Sequence, residues 1–274
     1  MTRDHDMKRA IRARMKVTGE QYTAARSALV APGASRARAS ETSESQGGVM
    51  AAVQSELLEE LDQRGFAVLR SFIESDAVAR LMEFVNDIVS AAVADKQEED
   101  RARRAAGETG WIDVWHPGEA GFVVKDVTGA ADVASILRDQ RLLEIATSVK
   151  GAGATLRKIR VIASMPGYGH QGFHPDSERG RDDRAAPSIG SWDDVAFFLV
   201  ISPHRAETGT IRALPGSHRT PPHFAELGSA MPPHPDEVRI EADPGDLFVY
   251  SAQLWKSSTF NGGHEPLKGL WIGC

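Results

Sequence analysis

The stretch Pro166-Gly-Tyr-Gly-His-Gln-Gly-Phe-His-Pro-Asp176 carries the most informative pattern of this chain. Side chains at positions i and i+2 of a strand point to the same face, so His174 and Asp176 can approach one ion while Pro175 points away. Proline cannot donate a hydrogen bond to a neighbouring strand, which favours an edge or rim of a sheet. The pattern predicts half of a metal site. A His-x-Asp triplet also arises by chance, and a surface pair is the alternative interpretation.

Short β-prone runs separated by Gly, Pro and Asp make up most of the second half of the chain, whereas helical spacing dominates before them. Helical spacing of apolar residues is found around Leu57 to Leu61, from Val78 to Ile88 and from Ala131 to Val149. The strand candidates are Phe66–Arg70, Ile112–Trp115, Gly121–Lys125, Leu156–Ala163, Val195–Ile201, Thr210–Leu214, Glu237–Glu241, Asp246–Tyr250 and Leu267–Gly273. Helices followed by a cluster of short strands predict an antiparallel sandwich or jelly roll buttressed by helices.

The composition is that of an ordinary globular protein and excludes several classes of function. The 274 residues carry a net charge of -6, which gives no overall attraction to nucleic acid or anionic membranes. Cys274 is the only cysteine, so no intrachain disulfide can form. No apolar run approaches the roughly 18 residues of a membrane span. We therefore expect a cytoplasmic protein that binds neither nucleic acid nor membrane.

The N-terminal part differs in composition from the rest. Residues 1–30 read as one or two basic helices, with seven Lys or Arg against three Asp or Glu in residues 1–26. This segment is interpreted either as a docking element for an acidic protein partner or nucleic acid, or as a solvated helix or partly ordered tail. Residues 31–48 lack bulky apolar side chains and predict a flexible linker. The main domain is expected at 49–274.

Four motifs, in order along the chain, resemble the phytanoyl-CoA dioxygenase family of Fe(II)- and 2-oxoglutarate-dependent oxygenases. They are Leu61-Asp-Gln-Arg-Gly-Phe-Ala-Val-Leu-Arg-Ser-Phe-Ile73, the stretch Pro166–Asp176, Thr208-Gly-Thr-Ile-Arg-Ala-Leu-Pro-Gly-Ser-His-Arg219 and Pro244-Gly-Asp-Leu-Phe-Val-Tyr250. The resemblance covers residues 51 to 274. It implies a double-stranded β-helix, a cupin-like jelly roll, and an enzyme that oxidises a small molecule, with hydroxylation as the expected outcome.

The resemblance also implies roles for individual residues. His174 and Asp176 match two iron ligands, and Asn261 aligns Lys256 with the position of the distal histidine. The arginine that binds 2-oxoglutarate follows that histidine by about eleven residues in the family, which makes Lys268 its expected counterpart. Arg212 is interpreted either as a contact to a substrate or cosubstrate carboxylate or as the partner of a neighbouring acid.

Lys256 makes the chain depart from the family, because two histidines and one carboxylate normally hold the iron. An ammonium cannot ligate a metal, and deprotonating a lysine at pH 7 costs roughly 4 to 5 kcal/mol. Three interpretations follow: iron remains on His174 and Asp176, protonated Lys256 replaces the metal and pairs with Asp176, or the alignment is shifted. The second gives a metal-free small-molecule-binding protein. A Lys256 nitrogen about 3 Å from Asp176 is the geometry that this interpretation requires.

The remaining histidines and aromatic residues are assigned mostly to structure. His218 closes a turn, and His170 is a candidate for the pocket lining. The exposed group is expected to be His204, His223, His234 and His264. The core group is expected to be Trp192, Phe197 and Trp255. The retained Asp176 argues against a halogenase, because such an enzyme needs the carboxylate removed to admit halide.

Overall fold

The computed structural model describes residues 55–107, 121–168, 171–176, 194–222 and 233–274. All of these residues belong to one compact unit, Gln54–Cys274. The predictions that lie outside the described residues are those for 1–30, 31–48, Ile112–Trp115, His170, Trp192 and His223.

In the described part of the chain, three α-helices form a layer on one side of the larger sheet. Helix α1 covers residues 55–64 and ends at Gly65, whose φ of 81° is a conformation that favours glycine. Helix α2 is Ser75–Ala105 and buries one apolar stripe that includes Val85. The run Ala131–Val149, predicted as one helix, is instead two 3-10 turns at Ala131–Val133 and Ile136–Arg138 followed by helix α3, Gln140–Lys150.

The interruption before α3 has a local cause. The side chain of Asp139 accepts a hydrogen bond from the backbone N–H of Arg141 at 2.9 Å. An aspartate in this position caps a new helix, because it satisfies an amide that has no partner within the helix. A periodic apolar pattern does not reveal such a break.

Six antiparallel strands form the larger sheet, in the order β1-β7-β4-β9-β3-β2. Their bounds are β1 Phe66–Leu69, β2 Phe122–Asp126, β3 Lys158–Ser164, β4 Val195–Val200, β7 Leu247–Ser251 and β9 Leu267–Gly273. The strand predictions for these runs are confirmed to within a few residues. Strand β4 is buried along its whole length because both faces of the sheet are covered.

A smaller sheet of three strands has the order β6-β5-β8. Its strands are β5 Ile211–Ala213, β6 Val238–Ile240 and β8 Lys256–Ser258. Strand β8 was not among the sequence predictions, because its three residues carry no apolar alternation. It is the strand that holds Lys256.

Two apolar cores separate the layers. One lies between the helices and the outer face of the larger sheet, where Val85 and Ile145 pack with Val161 and Leu270. The other lies on the opposite face, where Phe198 and Phe248 pack with Ala213 and Ile240 of the smaller sheet. The predicted cupin-like jelly roll with helical buttresses is confirmed. Within the described ranges, none of the helices combines the length and the apolar character that crossing a membrane requires.

Candidate functional site

The predicted half-site and Lys256 face each other across two strand segments. His174 and Lys256 form an isolated antiparallel bridge, in which each backbone N–H donates to the other residue's carbonyl at 3.0 and 3.2 Å. This pairing makes position 256 the direct neighbour of His174. The pairing supports the alignment of Lys256 with the distal histidine of the family, and it argues against a shifted alignment.

The amino group of Lys256 lies against the carboxylate of Asp176. The Lys256 Nζ donates to Asp176 Oδ1 at 2.8 Å, and the Tyr250 hydroxyl donates to Asp176 Oδ2 at 2.7 Å. The Trp271 Nε1 donates in turn to the Tyr250 hydroxyl at 2.9 Å. Lys256 Nζ also lies 4.9 Å from the centre of the Tyr250 ring. Both carboxylate oxygens therefore have a hydrogen-bond donor.

This environment changes how Asp176 and Tyr250 ionise. Burial alone would raise the pKa of Asp176, but the charge and hydrogen bond of Lys256 and the hydroxyl of Tyr250 outweigh it, so this pKa lies below its usual value. Burial and the neighbouring Asp176 charge raise the pKa of Tyr250 well above its usual value. Tyr250 therefore remains a neutral donor to a charged Asp176.

The ring of His174 is held in one orientation. Its Nδ1 lies 2.8 Å from the carbonyl oxygen of Gly172. A histidine that donates one ring N–H to a backbone carbonyl presents the other nitrogen to a metal, which is the arrangement common among metal-ligating histidines. His174 therefore has the orientation expected of a ligand that binds through Nε2.

A cavity of about 620 Å³ opens beside these residues, between the two sheets. Its aromatic side chains include Phe198, Phe248, Tyr250 and Trp271, which project from the inner face of the larger sheet. Strand β9 makes room for two of these rings with glycine, since a Cβ at Gly269 would lie 2.1 Å from the Phe198 ring. The cavity has the size and the mixed lining of a small-molecule site.

The prediction for Lys268 is corrected by its position. Its Nζ donates to Asn86 Oδ1 at 2.7 Å, and Asn86 belongs to helix α2. Lys268 thus lies on the helix side of the larger sheet, whereas its neighbour Leu267 lines the cavity. Side chains alternate along a strand, so a shift of one residue exchanges the faces. Leu267 is eleven residues after Lys256, which is the spacing that the resemblance implies for the family's arginine.

Arg212 adopts the second of its two predicted roles. Its guanidinium pairs with Glu237 at 3.0 Å, and the two side chains are 1% and 6% exposed. It also donates to Ser257 Oγ at 2.8 Å and to the Gln171 carbonyl at 2.9 Å. These partners hold the segment before His174 against strand β8. Arg212 therefore has a structural role, and the expectation that it binds a cofactor is corrected.

The remaining described side chains agree with the predictions except at two histidines, His204 and His234. Phe197 and Trp255 are buried, His264 is exposed and His218 contacts the carbonyl of Asp62, as a structural residue would. His234 is half-exposed. The prediction that His204 is exposed is wrong: it is 5% exposed and lines the cavity.

Sequence reasoning missed several residues of the site. Tyr250 donates to Asp176, and Trp271 donates to Tyr250. The cavity lining also includes Arg160, Ser164 and Ser258. The available signal was strand alternation, because these residues occupy inward positions of strands. Without knowledge of which strands pair, alternation does not show that they face one cavity.

Comparison with known proteins identifies the family of the chain. The sequence profile of the phytanoyl-CoA dioxygenase family matches residues 61–265. The chain therefore belongs to this family of Fe(II)- and 2-oxoglutarate-dependent dioxygenases and carries Lys256 where the resemblance implies a histidine.

Several solved structures share the fold. The iron-bound EctD from S. alaskensis has a TM-score of 0.59 at 18% identity, covering 80% of this chain and 75% of that one. The non-haem α-ketoglutarate-dependent epimerase SnoN from nogalamycin biosynthesis has a TM-score of 0.57 at 16% identity, covering 81% and 82%. HygX from Streptomyces hygroscopicus, with nickel and 2-oxoglutarate bound, has a TM-score of 0.55 at 16% identity, covering 80% and 85%.

The family holds iron with three side chains, and suitable donors stand at two of these three positions in the described residues. His174 and Asp176 have the required donors and orientation, whereas position 256 presents a cation to the same carboxylate. Within the described ranges, no group of three or more His, Cys, Asp or Glu is arranged to hold a metal ion. The family's cofactors are Fe(II) and 2-oxoglutarate. This chain retains His174 and Asp176 as expected ligands of Fe(II). Leu267 stands at the spacing expected of the arginine that binds 2-oxoglutarate.

Proposed function

We propose that the chain binds a small organic molecule in the cavity and oxidises it, with hydroxylation as the expected outcome. The observation that carries this proposal is the retained His174–Asp176 pair, oriented as ligands at the edge of a cavity of about 620 Å³. Nothing in the packing of a jelly roll requires this pair. The similar structures include an epimerase and a complex with 5-hydroxyectoine, so this fold supports more than one oxidative outcome.

His174 and Asp176 would hold Fe(II), which supplies the oxygen activation that the family uses. Lys256 must then release Asp176, because its ammonium occupies one carboxylate oxygen at 2.8 Å. Tyr250 keeps the other oxygen oriented through its hydroxyl. The aromatic side chains of the larger sheet would exclude water from the bound molecule.

The Lys256–Asp176 contact favours a second function, a metal-free small-molecule-binding protein. Its distance of 2.8 Å is the geometry that a lysine in place of the metal requires. The Lys256 side chain is 13% exposed and that of Asp176 is 25% exposed. An ion pair that is largely shielded from water competes more strongly with a divalent cation than a solvated pair does.

Metal binding by the full chain separates the two functions. Purified protein is titrated anaerobically with Fe(II), and 2-oxoglutarate-dependent succinate formation is measured on the same samples. Stoichiometric iron with succinate formation is the result expected of the oxygenase. Absence of bound metal when Fe(II) is supplied would contradict it and leave the binding protein.

Position 256 offers a matched pair of variants for the same titration. Lys256→His supplies the missing donor, and Lys256→Met removes the charge without supplying one. We expect the histidine variant to bind Fe(II) or Co(II) at least about tenfold more tightly than the methionine variant, a difference of about 1.4 kcal/mol. Equal affinities would show that the side chain at 256 does not face the metal.

A further inference from the structure

Arg160 lines the cavity and has no partner of opposite charge among the described residues. The acids of the lining are already paired. Asp176 is held by Lys256 at 2.8 Å, and Asp194 is held by Lys150 at 3.1 Å. The ion pairs found within the described ranges do not include the Arg160 side chain. This part of the lining therefore carries a positive charge that the protein does not compensate.

The acid that faces Arg160 in the strand register has other partners. Asp126 of β2 stands opposite Arg160 of β3. The Thr128 hydroxyl donates to Asp126 Oδ1 at 2.7 Å, and Lys158 Nζ lies 3.6 Å from Asp126 Oδ2. The guanidinium of Arg160 therefore stays available for a ligand.

The ring of Trp271 orients this guanidinium. The Arg160 Cζ lies over the ring, 5.2 Å from its centroid, and the two residues are paired in the register of β3 and β9. A guanidinium stacked on an aromatic ring keeps its N–H donors in its own plane, where they can form two parallel hydrogen bonds with a carboxylate. Arg160 is half-buried, so a bound anion would be partly shielded from water and held more strongly than at an open surface.

Apolar side chains of the same strands face the cavity beside Arg160. Ile162 is the next inward residue of β3, and Val124 of β2 is its partner in the register. Val124 is 46% exposed although it lines the cavity, so apolar surface is open to a ligand here. A molecule that combines an apolar body with an anionic group would cover this surface and also pair with Arg160.

Arg160 lies apart from the position expected to anchor 2-oxoglutarate. Its register partner Trp271 is four residues beyond Leu267, a separation of roughly 13 Å along β9. Trp271 donates to Tyr250 at 2.9 Å, and Tyr250 donates to Asp176 at 2.7 Å. The guanidinium is thus joined to the half-site through one ring and one hydroxyl. A small molecule held by Arg160 can therefore extend to the half-site.

The single charge of Arg160 matches a carboxylate better than a phosphate monoester, which carries about 1.5 to 2 negative charges at pH 7. Lys256 is occupied by Asp176, and Lys158 lies against Asp126. A second cation for a dianion is therefore not available beside Arg160 in the described part of the chain. The unmatched charge of a dianion would cost free energy on burial.

We propose that Arg160 and Trp271 form a subsite that binds the carboxylate group of a substrate with an apolar body. The subsite deepens the proposed function by naming the substrate class, a small apolar carboxylic acid, and it rests on the cavity being the ligand site. Binding of the carboxylate does not depend on iron.

Probes that share one alkyl body test the proposal. Hexanoate, hexanamide and hexyl phosphate are titrated at low ionic strength into the full chain, freed of metal on a chelating resin, and dissociation constants are obtained by ligand-observed NMR. We expect hexanoate to bind at least about tenfold more tightly than hexanamide, because charge-assisted hydrogen bonds form only with the anion. Equal binding, no binding of hexanoate or tighter binding of hexyl phosphate would overturn the proposal.

Variants locate the preference within the cavity. Arg160→Gln is expected to remove the preference for hexanoate. Arg160→Lys keeps the charge without the fork of donors, so it is expected to retain an intermediate preference, and it serves as the test if Arg160→Gln does not fold. Lys158→Gln, two residues away on the same face of β3, is the control and should leave the preference unchanged. A preference that survives in Arg160→Gln would assign it to Lys256 and overturn the subsite.

Because metal is removed beforehand, this experiment is independent of the iron titration. A chain that binds no iron but prefers hexanoate retains the subsite and loses the oxygenase function. A chain that binds iron and forms succinate, but binds hexanoate and hexanamide equally, retains the oxygenase function and loses the subsite.

Discussion

At the scale of single residues, the site is defined by which charged groups already have partners. Asp176 is paired with Lys256 and Tyr250, and Arg212 is paired with Glu237. Arg160 stacks on an aromatic ring and has no carboxylate in ion-pair contact within the described ranges. The carboxylate of the half-site is therefore paired within the protein, whereas Arg160 lines the cavity without a carboxylate partner among the described residues.

The buried Arg212–Glu237 pair gives a prediction at this scale. Arg212→Met leaves Glu237 buried at 6% exposure with only Arg239, 3.4 Å away, as a cation, and we expect the free energy of unfolding to fall by about 3 kcal/mol, the lower end for breaking a buried pair. The measurement is chemical denaturation at pH 7. The double variant Arg212→Met with Glu237→Met is the control, because removing both charges restores part of the loss. A loss below about 1 kcal/mol in the single variant would contradict a structural role.

The residue scale also shows how far sequence reasoning reached. His174, Asp176 and Lys256 were identified correctly as neighbours, because motif order and the position of Asn261 fix their alignment. Lys268 was assigned to the wrong face, since a loop whose length differs by one residue reverses the alternation of the following strand. The partner of Arg212, Glu237, lies 25 residues away and immediately before strand β6. Pairing of this kind depends on sheet topology, which local patterns do not contain.

At the scale of elements, strand β9 forms the floor of the cavity. Gly269 and Gly273 of this strand lie on its cavity side, and the residues between them in the alternation face the helices. A Cβ at Gly273 would lie 2.5 Å from the Trp271 ring, and one at Gly269 would lie 2.1 Å from the Phe198 ring. Both rings therefore lie flat against the sheet. This arrangement leaves open the space that upright rings would fill.

Gly269→Ala tests this role of β9. The added methyl group collides with Phe198, and overpacking of this kind costs about 1 to 3 kcal/mol of stability. Phe198→Leu in the same chain is expected to recover most of the loss, because it removes the ring that the methyl group meets. A thermal-denaturation cycle over the two single variants and the double variant measures the coupling. Additive effects would show that the two positions do not touch.

At the scale of the whole molecule, two buried histidines contribute to the dependence of stability on pH. Burial lowers the pKa of both His204 and His218 from 6.5 to about 4. The unfolded chain therefore takes up protons at a higher pH than the folded chain does. The contribution of these two histidines to stability is fully present above pH 6.5 and is lost as the pH decreases towards 4.

His204→Phe isolates the contribution of one of these histidines. Between pH 7.5 and pH 5, the fall in unfolding free energy is expected to be smaller by about 2 kcal/mol than in the unmodified chain. Urea denaturation at the two pH values gives the difference. The exposed His264→Gln is the control and should leave the fall unchanged. An unaltered fall in His204→Phe would show that His204 is charged or exposed in the folded protein.

Most of the fold, but less of the site, could be predicted from the sequence. The six strands of the larger sheet and helices α1 and α2 follow from periodicity and turn residues. Strand β8 has three residues and no apolar alternation, so only its pairing with β5 identifies it. The cavity depends on how β8 and β9 face each other. That relation is a property of the assembled sheets.

The hydrogen bond from Trp271 to Tyr250 has a practical consequence. The indole N–H is joined through one hydroxyl to the carboxylate that Lys256 holds, at successive distances of 2.9 and 2.7 Å. Any occupant that draws Asp176 away from its present partners changes the polarity around the indole. Trp271 is thus an intrinsic fluorophore attached to the half-site, and its emission reports occupancy without a label.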